Sequence, residues 1–130
     1  MNAFDPRPPF YLGIDLGGTN IKSGVVDDTG RPLSSVSIET QADQGPEVGV
    51  ENLARAGRMA VEASGLRWDQ IAAVGLGSPG TMDLSRGMLL QPPNLPGWDD
   101  LPIRDLLAAK LDKRTILQND ANAAAFGEYW

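Results

Sequence analysis

Two apolar stretches separated by Gly17-Gly18 constrain the beginning of this chain more than any other feature. Residues 10–16 combine aromatic and branched side chains, with a charged residue only at Asp15, and predict a strand. Residues 20–27 alternate in polarity and predict a second strand. Because a tight glycine turn joins them, we expect the two strands to pair antiparallel.

The rest of the chain alternates between predicted strands and helices. A turn over 28–31 leads into a third predicted strand, 32–40, which completes an antiparallel meander. The elements predicted next are a helix over 46–64, a strand over 71–77, a helix over 103–111, a strand over 115–118 and an alanine-rich helix over 119–130. Residues 81–90 predict a turn at 83–87 followed by a short strand, and the proline-rich residues 91–102 predict an ordered loop.

This order predicts one α/β domain over 10–130, preceded by an extended arm at 1–9 that contains three prolines. Three antiparallel strands followed by β-α units favour a mixed sheet of antiparallel and parallel strands, with helices on both faces. The length of 130 residues suits a single domain.

Composition excludes several classes of protein. The chain has 11 Lys and Arg against 17 Asp and Glu, a net charge of −6, and no basic stretch of the kind that binds nucleic acid. It has no Cys and no His, so neither a disulfide nor a thiolate metal site is expected within it. Its apolar runs are too short to span a bilayer, and its beginning lacks a signal peptide. We therefore expect a cytoplasmic protein without membrane contact.

The first candidate site is the loop from Asp15 to Asn20, with Lys22 just beyond it. Gly17 and Gly18 would allow backbone amides to approach an anion closely, and Thr19 and Asn20 add neutral donors. Asp15 would repel a phosphate unless a cation lay between them, which implies an indirectly held Mg²⁺. An ordinary Gly-Gly hairpin with a surface Asp is the simpler interpretation; Thr19, Asn20 and the flanking strands count against it.

The second candidate is the glycine turn 75–80, which fits the pattern G-x-G-x-x-G. A dinucleotide fingerprint must open a helix, whereas the residues after Gly80 have turn composition and Pro79 lies inside the turn. We expect no NAD site here, but a tight turn that brings backbone close to a small ligand.

The third candidate is the loop Asn94-Leu95-Pro96-Gly97-Trp98. Trp98 is interpreted chiefly as a loop anchor. Asn94, presented by a rigid loop, offers both a donor and an acceptor to a sugar hydroxyl.

The fourth candidate is Asn119-Asp120, where the last predicted strand passes into the last predicted helix. A simple helix cap is one interpretation. The other is that Asp120, kept ionised by the helix terminus, orients an acceptor hydroxyl during phosphoryl transfer.

Together the four motifs resemble the ROK sugar kinases, especially the bacterial glucokinase-like members, from Tyr11 to Trp130. The resemblance implies an actin-like ATPase fold of ribonuclease H-like topology and transfer of the ATP γ-phosphoryl group to a hexose, with Mg²⁺. It also implies that Asp120 is the catalytic base and that Gly80, Asn94 and Asn119 contact the sugar. A first loop of this kind is similar to the phosphate motif of hexokinases, actin and heat-shock ATPases.

Members of that family are roughly twice as long, so we expect this chain to be the amino-terminal half, inactive alone. The family's remaining sugar contacts, its cysteine-rich zinc site and its adenosine-binding segments follow the matched region. One alternative is the sugar-sensing domain of a ROK repressor, but too few residues precede the first strand to form the DNA-binding domain of such a repressor. The others are a kinase for N-acetylmannosamine, fructose or allose, and a non-catalytic actin-like ATPase. A homo-oligomer is expected.

Overall fold

A computed structural model describes residues 6–119 of the chain. Its five-stranded sheet is built from β1 (Phe10–Leu16), β2 (Asn20–Val26), β3 (Val36–Glu39), β4 (Ile71–Gly77) and β7 (Thr115–Gln118). The helices are α1 (Pro46–Ser64) and α2 (Ile103–Leu111), and a separate hairpin is formed by β5 (Thr81–Asp83) and β6 (Met88–Gln91). Short 3₁₀ turns at Ala42–Gln44 and Trp68–Gln70 precede α1 and β4.

The sheet has the order β3-β2-β1-β4-β7 and confirms the predicted mixture of strand directions. β1 pairs antiparallel with β2, and β2 pairs antiparallel with β3. β4 runs parallel to β1, and β7 runs parallel to β4. The carboxyl ends of β1, β4 and β7 therefore meet at one edge, as they do in other open α/β sheets.

Apolar alternation places the core on one face of this sheet. Side chains of β1, β2 and β4 that point to this face pack with those of α1 and α2 in one cluster; fully buried members include Leu12, Ile14, Val25, Leu53, Val74, Leu76 and Leu107. α1 approaches β1 closely, since a Cβ on Gly57 would lie 3.0 Å from side-chain atoms of both Leu12 and Ile14. Both described helices thus contribute to the same core, and most of the predicted helix 119–130 lies outside the described residues.

The third strand is shorter than the predicted 32–40. Before β3 begins at Val36, the amide of Val25 donates to the side-chain Oγ of Ser34 at 3.0 Å instead of to a main-chain carbonyl. Leu33 still donates to the carbonyl of Val25 at 2.7 Å, and Pro32 forms an isolated bridge with Val26. The hydroxyl of Ser34 thus takes the place of a main-chain carbonyl as the acceptor for the amide of Val25, and this makes the segment before β3 irregular.

The hairpin β5–β6 corrects a second expectation, because two strands flank the turn at 83–87 where one was predicted. β5 has only three residues, too few for a period-two pattern to be recognised. The hairpin is tied to the following loop by reciprocal hydrogen bonds between Leu89 and Leu101, at 2.9 and 3.0 Å.

A buried carboxylate closes the turn that follows β2. Oδ1 of Asp27 accepts hydrogen bonds from the amide and hydroxyl of Thr29, at 2.9 and 2.6 Å, and from the amide of Arg31 at 3.1 Å. Oδ2 accepts one from the amide of Arg7 at 3.3 Å. Burial by itself raises the pKa of Asp27, but these hydrogen bonds outweigh it and hold the pKa below its ordinary value.

Among the described residues, neither helix combines the length and hydrophobicity that crossing a bilayer would require.

Candidate functional site

The predicted site residues follow three neighbouring parallel strands. Asp15 of β1 lies beside Gly77 of β4, and Gly77 lies beside Gln118 of β7. The segments that leave these strands are the first glycine loop, the turn at Gly80 and Asn119. The sheet topology therefore brings together segments that are far apart in sequence.

The first glycine loop is a tight turn whose geometry excludes a side chain at its first glycine. The amide of Gly17 donates to the carbonyl of Asn20 at 3.0 Å, and a Cβ on Gly17 would lie only 2.6 Å from that carbonyl oxygen. Within residues 6–119, the amides of Gly18 and Thr19 donate to no backbone carbonyl. Consecutive amides of this kind are the donors that phosphate-binding loops use.

Asp15 and Lys22 are direct cross-strand neighbours in the pairing of β1 with β2. They lie on the sheet face opposite the core, and both line a shallow cavity of about 200 Å³ together with Gly13 and Gly24. Side chains directly opposite each other in an antiparallel pair lie close enough to interact. The acidic Asp15 and the basic Lys22 thus lie on either side of residues 17–20, the phosphate-type loop.

Asn94 lies directly against this loop. Its backbone has a φ of 61°, a left-handed conformation that asparagine tolerates better than most residues. A Cβ on Gly18 would lie 2.8 Å from Cβ of Asn94 and 3.1 Å from its carbonyl oxygen. The absence of a side chain at Gly18 is therefore what allows the predicted sugar loop to contact the predicted phosphate loop.

Trp98 anchors the Asn94 loop to α1, as the sequence predicted. It is fully buried, and its Nε1 donates to the carbonyl of Ala42 at 3.3 Å. A Cβ on Gly49 of α1 would lie 2.0 Å from the indole ring, so the ring occupies the space above that glycine. An aromatic side chain of this size contributes several kcal/mol of burial, roughly 3–5 kcal/mol on truncation to Ala.

Gly80 lies against both Pro93, which precedes Asn94, and Asn119. Gly80 has a φ of 92°, and a Cβ there would lie 2.6 Å from Cδ of Pro93. The side-chain amide of Asn119 donates to the carbonyl of Gly80 at 3.4 Å. Gly80 is thus in contact with both Pro93 and Asn119, and its lack of a side chain leaves the space that Pro93 occupies.

An open cleft of about 720 Å³ borders these loops. Its lining residues are Gly18, Thr19, Asn20, Glu39, Gln41, Ala42, Asp43, Gln44, Asn94 and Pro96. A cleft of this volume accommodates a small polar ligand. The polar lining comes from three segments of the chain: the first loop, the segment after β3, and the Asn94 loop.

The structure brings together the loop from Gly17 to Asn20, Asn94, Gly80 and Asn119. Asp120 lies outside the described residues. The turn at 75–80 leads into β5 and not into a helix, so it lacks the helix that a dinucleotide fingerprint must open.

Sequence reasoning missed two residues behind the loop, Thr40 and Asn52, which are buried and hydrogen-bonded to its surroundings. The available signal was weak. Asn52 is a poor helix former inside a predicted helix, and buried asparagine usually has a specific partner.

Comparisons with known proteins agree with this architecture. The chain is 36% identical over 119 residues to the glucokinase of Thermotoga maritima, which covers 92% of this chain and 36% of the relative. A ROK hexokinase from Thermus thermophilus superposes with a TM-score of 0.78 at 42% identity, covering 92% of this chain and 38% of that one. A ROK glucokinase from Streptomyces griseus, solved with glucose and AMPPNP, gives a TM-score of 0.76 at 37% identity, covering 92% and 36%.

The strand order and these neighbours define an α/β domain of the actin-like ATPase fold. The model of the ROK family matches residues 11–130, and the chain belongs to that family. The chain spans little more than a third of the length of these relatives.

Proposed function

We propose that the chain forms the phosphate-loop and sugar-binding domain of an ATP-dependent, hexokinase-type sugar kinase, with glucose as the favoured acceptor. The observation that carries the proposal is the contact between Gly18 and Asn94. It puts a loop suited to phosphate next to a side chain suited to a hydroxyl, which is the juxtaposition that phosphoryl transfer to a sugar requires.

In this proposal the first loop binds the nucleotide phosphates through the amides of Gly18 and Thr19, with Thr19, Asn20 and Lys22 adding side-chain donors. Asp15 fits an indirect role in holding Mg²⁺, which retains several waters and uses one or two carboxylates besides phosphate oxygens. When bound, the cation would neutralise charge on the transferred group. Residues 6–119 contain no cluster of three or more acidic, His or Cys side chains able to form a metal cage by themselves.

The hexose would lie in the cleft beside Asn94. The Asn94 amide, the backbone at Gly80 and the Asn119 amide would hydrogen-bond its hydroxyls, and Asp120 would orient the acceptor hydroxyl as the catalytic base. Because the transition state of phosphoryl transfer is loose, orientation matters more than base strength. The relative from Streptomyces griseus, whose structure holds glucose and AMPPNP, supports this pairing of ligands.

A sugar-sensing domain of a repressor is the second candidate, since the same fold serves both roles. The pairing of Asn119 with Asp120 favours the kinase, because a sensor needs hydroxyl contacts but no base. In this proposal the choice of hexose depends only partly on contacts within this chain, so N-acetylmannosamine, fructose and allose are the alternatives to glucose. Cytoplasmic location and homo-oligomerisation remain predictions from the sequence.

The test is a phosphotransfer assay of the full-length protein with Mg–ATP and a panel of these sugars. We expect glucose to give the highest kcat/KM, and Asp120→Asn to lower kcat by about 10²–10⁴-fold. Asp112→Asn is the matched control, because Asp112 is exposed and its left-handed backbone suits asparagine equally well. Wild-type kcat in Asp120→Asn would show that the base is misassigned.

A second measurement concerns the 130-residue chain alone. We propose that it does not phosphorylate sugar at a useful rate, because the adenosine contacts and part of the sugar contacts lie in the rest of the protein. Robust ATP-dependent phosphorylation of glucose by the purified chain would refute this.

A further inference from the structure

Thr40 connects the segment after β3 to the phosphate-type loop at two points. Its side chain is fully buried, and its hydroxyl donates to the carbonyl of Gly17 at 2.7 Å. Its amide donates to the carbonyl of Thr19 at 2.9 Å. One residue therefore binds two carbonyls on either side of Gly18.

These two bonds determine the orientation of the loop amides. In a trans peptide the C=O and N–H bonds point in opposite directions. When the carbonyl of Gly17 points toward Thr40, the amide of Gly18, which belongs to the same peptide unit, must point away from it. The same relation links the carbonyl of Thr19 to the amide of Asn20. The Gly18 amide, one of the two amides that would bind phosphate, is thus oriented by a hydrogen bond to the carbonyl of its own peptide unit.

Asn52 of α1 holds Thr40 in turn. Its side chain is 7% exposed, and Nδ2 donates to the carbonyl of Thr40 and to Oε1 of Gln41, each at 3.0 Å. Gln41 has a φ of 57°, so the chain turns sharply after Thr40 and needs a partner to fix that turn. A side-chain amide that bonds two groups at once is well suited to this purpose.

The Thr40 hydroxyl donates its hydrogen to the carbonyl of Gly17, so Thr40 would act on a bound ligand only through the loop. From this geometry we infer that Thr40 and Asn52 are positioning residues for phosphoryl transfer, which set the direction of the Gly18 amide and fix the Thr19–Asn20 peptide beside it. The inference rests on the proposed function, and extends it to residues that contact neither the nucleotide nor the sugar.

The test compares Thr40→Val with Thr40→Ser in the full-length protein. Valine keeps the shape and removes the donor, whereas serine keeps the hydroxyl. Affinity for Mg–ATP is measured by titration calorimetry, and kcat and KM by the phosphotransfer assay. We expect Thr40→Val to weaken Mg–ATP binding by about five- to tenfold and to lower kcat, and Thr40→Ser to remain within about twofold of the wild type. Asn52→Leu should shift the same parameters in the same direction, by less.

Thr115→Val is the matched control. Thr115 is also buried, and its hydroxyl donates to the carbonyl of Lys113 at 3.1 Å, away from the phosphate-type loop. Both Thr→Val variants lose one buried hydroxyl bond and should lower the melting temperature comparably. Only the Thr40 variant should change the affinity for Mg–ATP.

The outcomes separate this inference from the proposed function. Equal Mg–ATP affinity in wild type and Thr40→Val overturns the inference, and so does equal weakening in Thr115→Val or in Thr40→Ser, since each would indicate general destabilisation. If the wild type binds Mg–ATP but phosphorylates no sugar in the panel, the kinase proposal fails. The role of Thr40 in phosphate binding is then still decided by the calorimetry.

Discussion

Asn94 and Gly18 are in van der Waals contact, and the contact exists because Gly18 has no side chain: a Cβ there would lie 2.8 Å from Cβ of Asn94. The two residues are far apart in the sequence, since Gly18 lies between β1 and β2 and Asn94 lies in the loop after β6. Their contact links the two halves of the proposed site, one for phosphate and one for sugar.

Gly18→Ala should disrupt both halves at once. The added methyl would have to displace Asn94, so we expect lower affinity for glucose and for Mg–ATP in the full-length protein, with the fold retained. Asn94→Ala should lower the affinity for glucose only. Glucose and nucleotide titrations with circular dichroism as the check on folding distinguish the two variants, and an unchanged KM for glucose in Gly18→Ala would contradict the contact.

Gly49→Ala should destabilise the chain through Trp98. Because a Cβ at position 49 would lie 2.0 Å from the indole ring, either the ring or α1 must move, and overpacking of this kind typically costs about 1–3 kcal/mol. Urea unfolding of the 130-residue chain measures the loss. Glu62→Ala, at an exposed position of the same helix, is the control and should change the free energy of unfolding by less than about 0.5 kcal/mol.

The stability of the chain should depend on the ionisation of Asp27. Its pKa in the folded protein is lowered from 3.8, so its hydrogen bonds contribute stability that is present above that value and is lost as the pH falls through the lower, folded-state pKa. Asp27→Asn should therefore be less stable than wild type at neutral pH, and the difference should shrink in acid. Urea unfolding at a series of pH values measures this.

The exposed neighbour Asp28 supplies the control for that series. Asp28→Asn changes an exposed carboxylate and should alter the free energy of unfolding by less than about 0.5 kcal/mol. A gap between wild type and Asp27→Asn that stays constant down to strongly acidic pH would mean that the carboxylate is not what stabilises the turn.

Lys113 should contribute more to stability than a surface lysine does. Its Nζ donates to the carbonyls of Trp68 and Ile71, at 2.9 and 2.8 Å, and lies 5.2 Å from the centroid of the Trp68 ring. Charged hydrogen bonds of this kind contribute about 1.5–3 kcal/mol, so Lys113→Met should lower the free energy of unfolding by an amount in that range. Lys110→Met, which removes only an ion pair with Glu51, is the comparison and should cost less.

The sequence predicted the strands and helices that have strong local signals. β1, β4, α1, α2 and β7 were predicted with the bounds that the structure gives them, because apolar runs, Pro46, Gly65 and the glycine turn are local features. The start of β3 was wrong, because the hydroxyl of Ser34 competes for the amide of Val25, and no periodicity in the sequence reveals that competition.

For the candidate site, the sequence identified the residues expected to contact ligands, but not the buried residues that hold them in place. Asn94 and the first loop were predicted from residue type and context. Thr40 and Asn52 could not be, because their roles depend on partners at positions 17 and 40 that become neighbours only after the sheet and α1 have packed. A buried polar contact between distant segments is a property of the tertiary structure alone.

The parallel pairing of β7 with β4 also has a consequence for the order of assembly. Asn119 reaches Gly80 only after β7 has joined the sheet next to β4, whereas the phosphate-type loop and its supports Thr40 and Asn52 all lie between β1 and the end of α1. Because contacts between distant segments form late, we expect a nascent chain to acquire its phosphate side before its sugar side. Partly synthesised chains would thus contain a folded phosphate-type loop without the complete set of sugar-binding segments beside it.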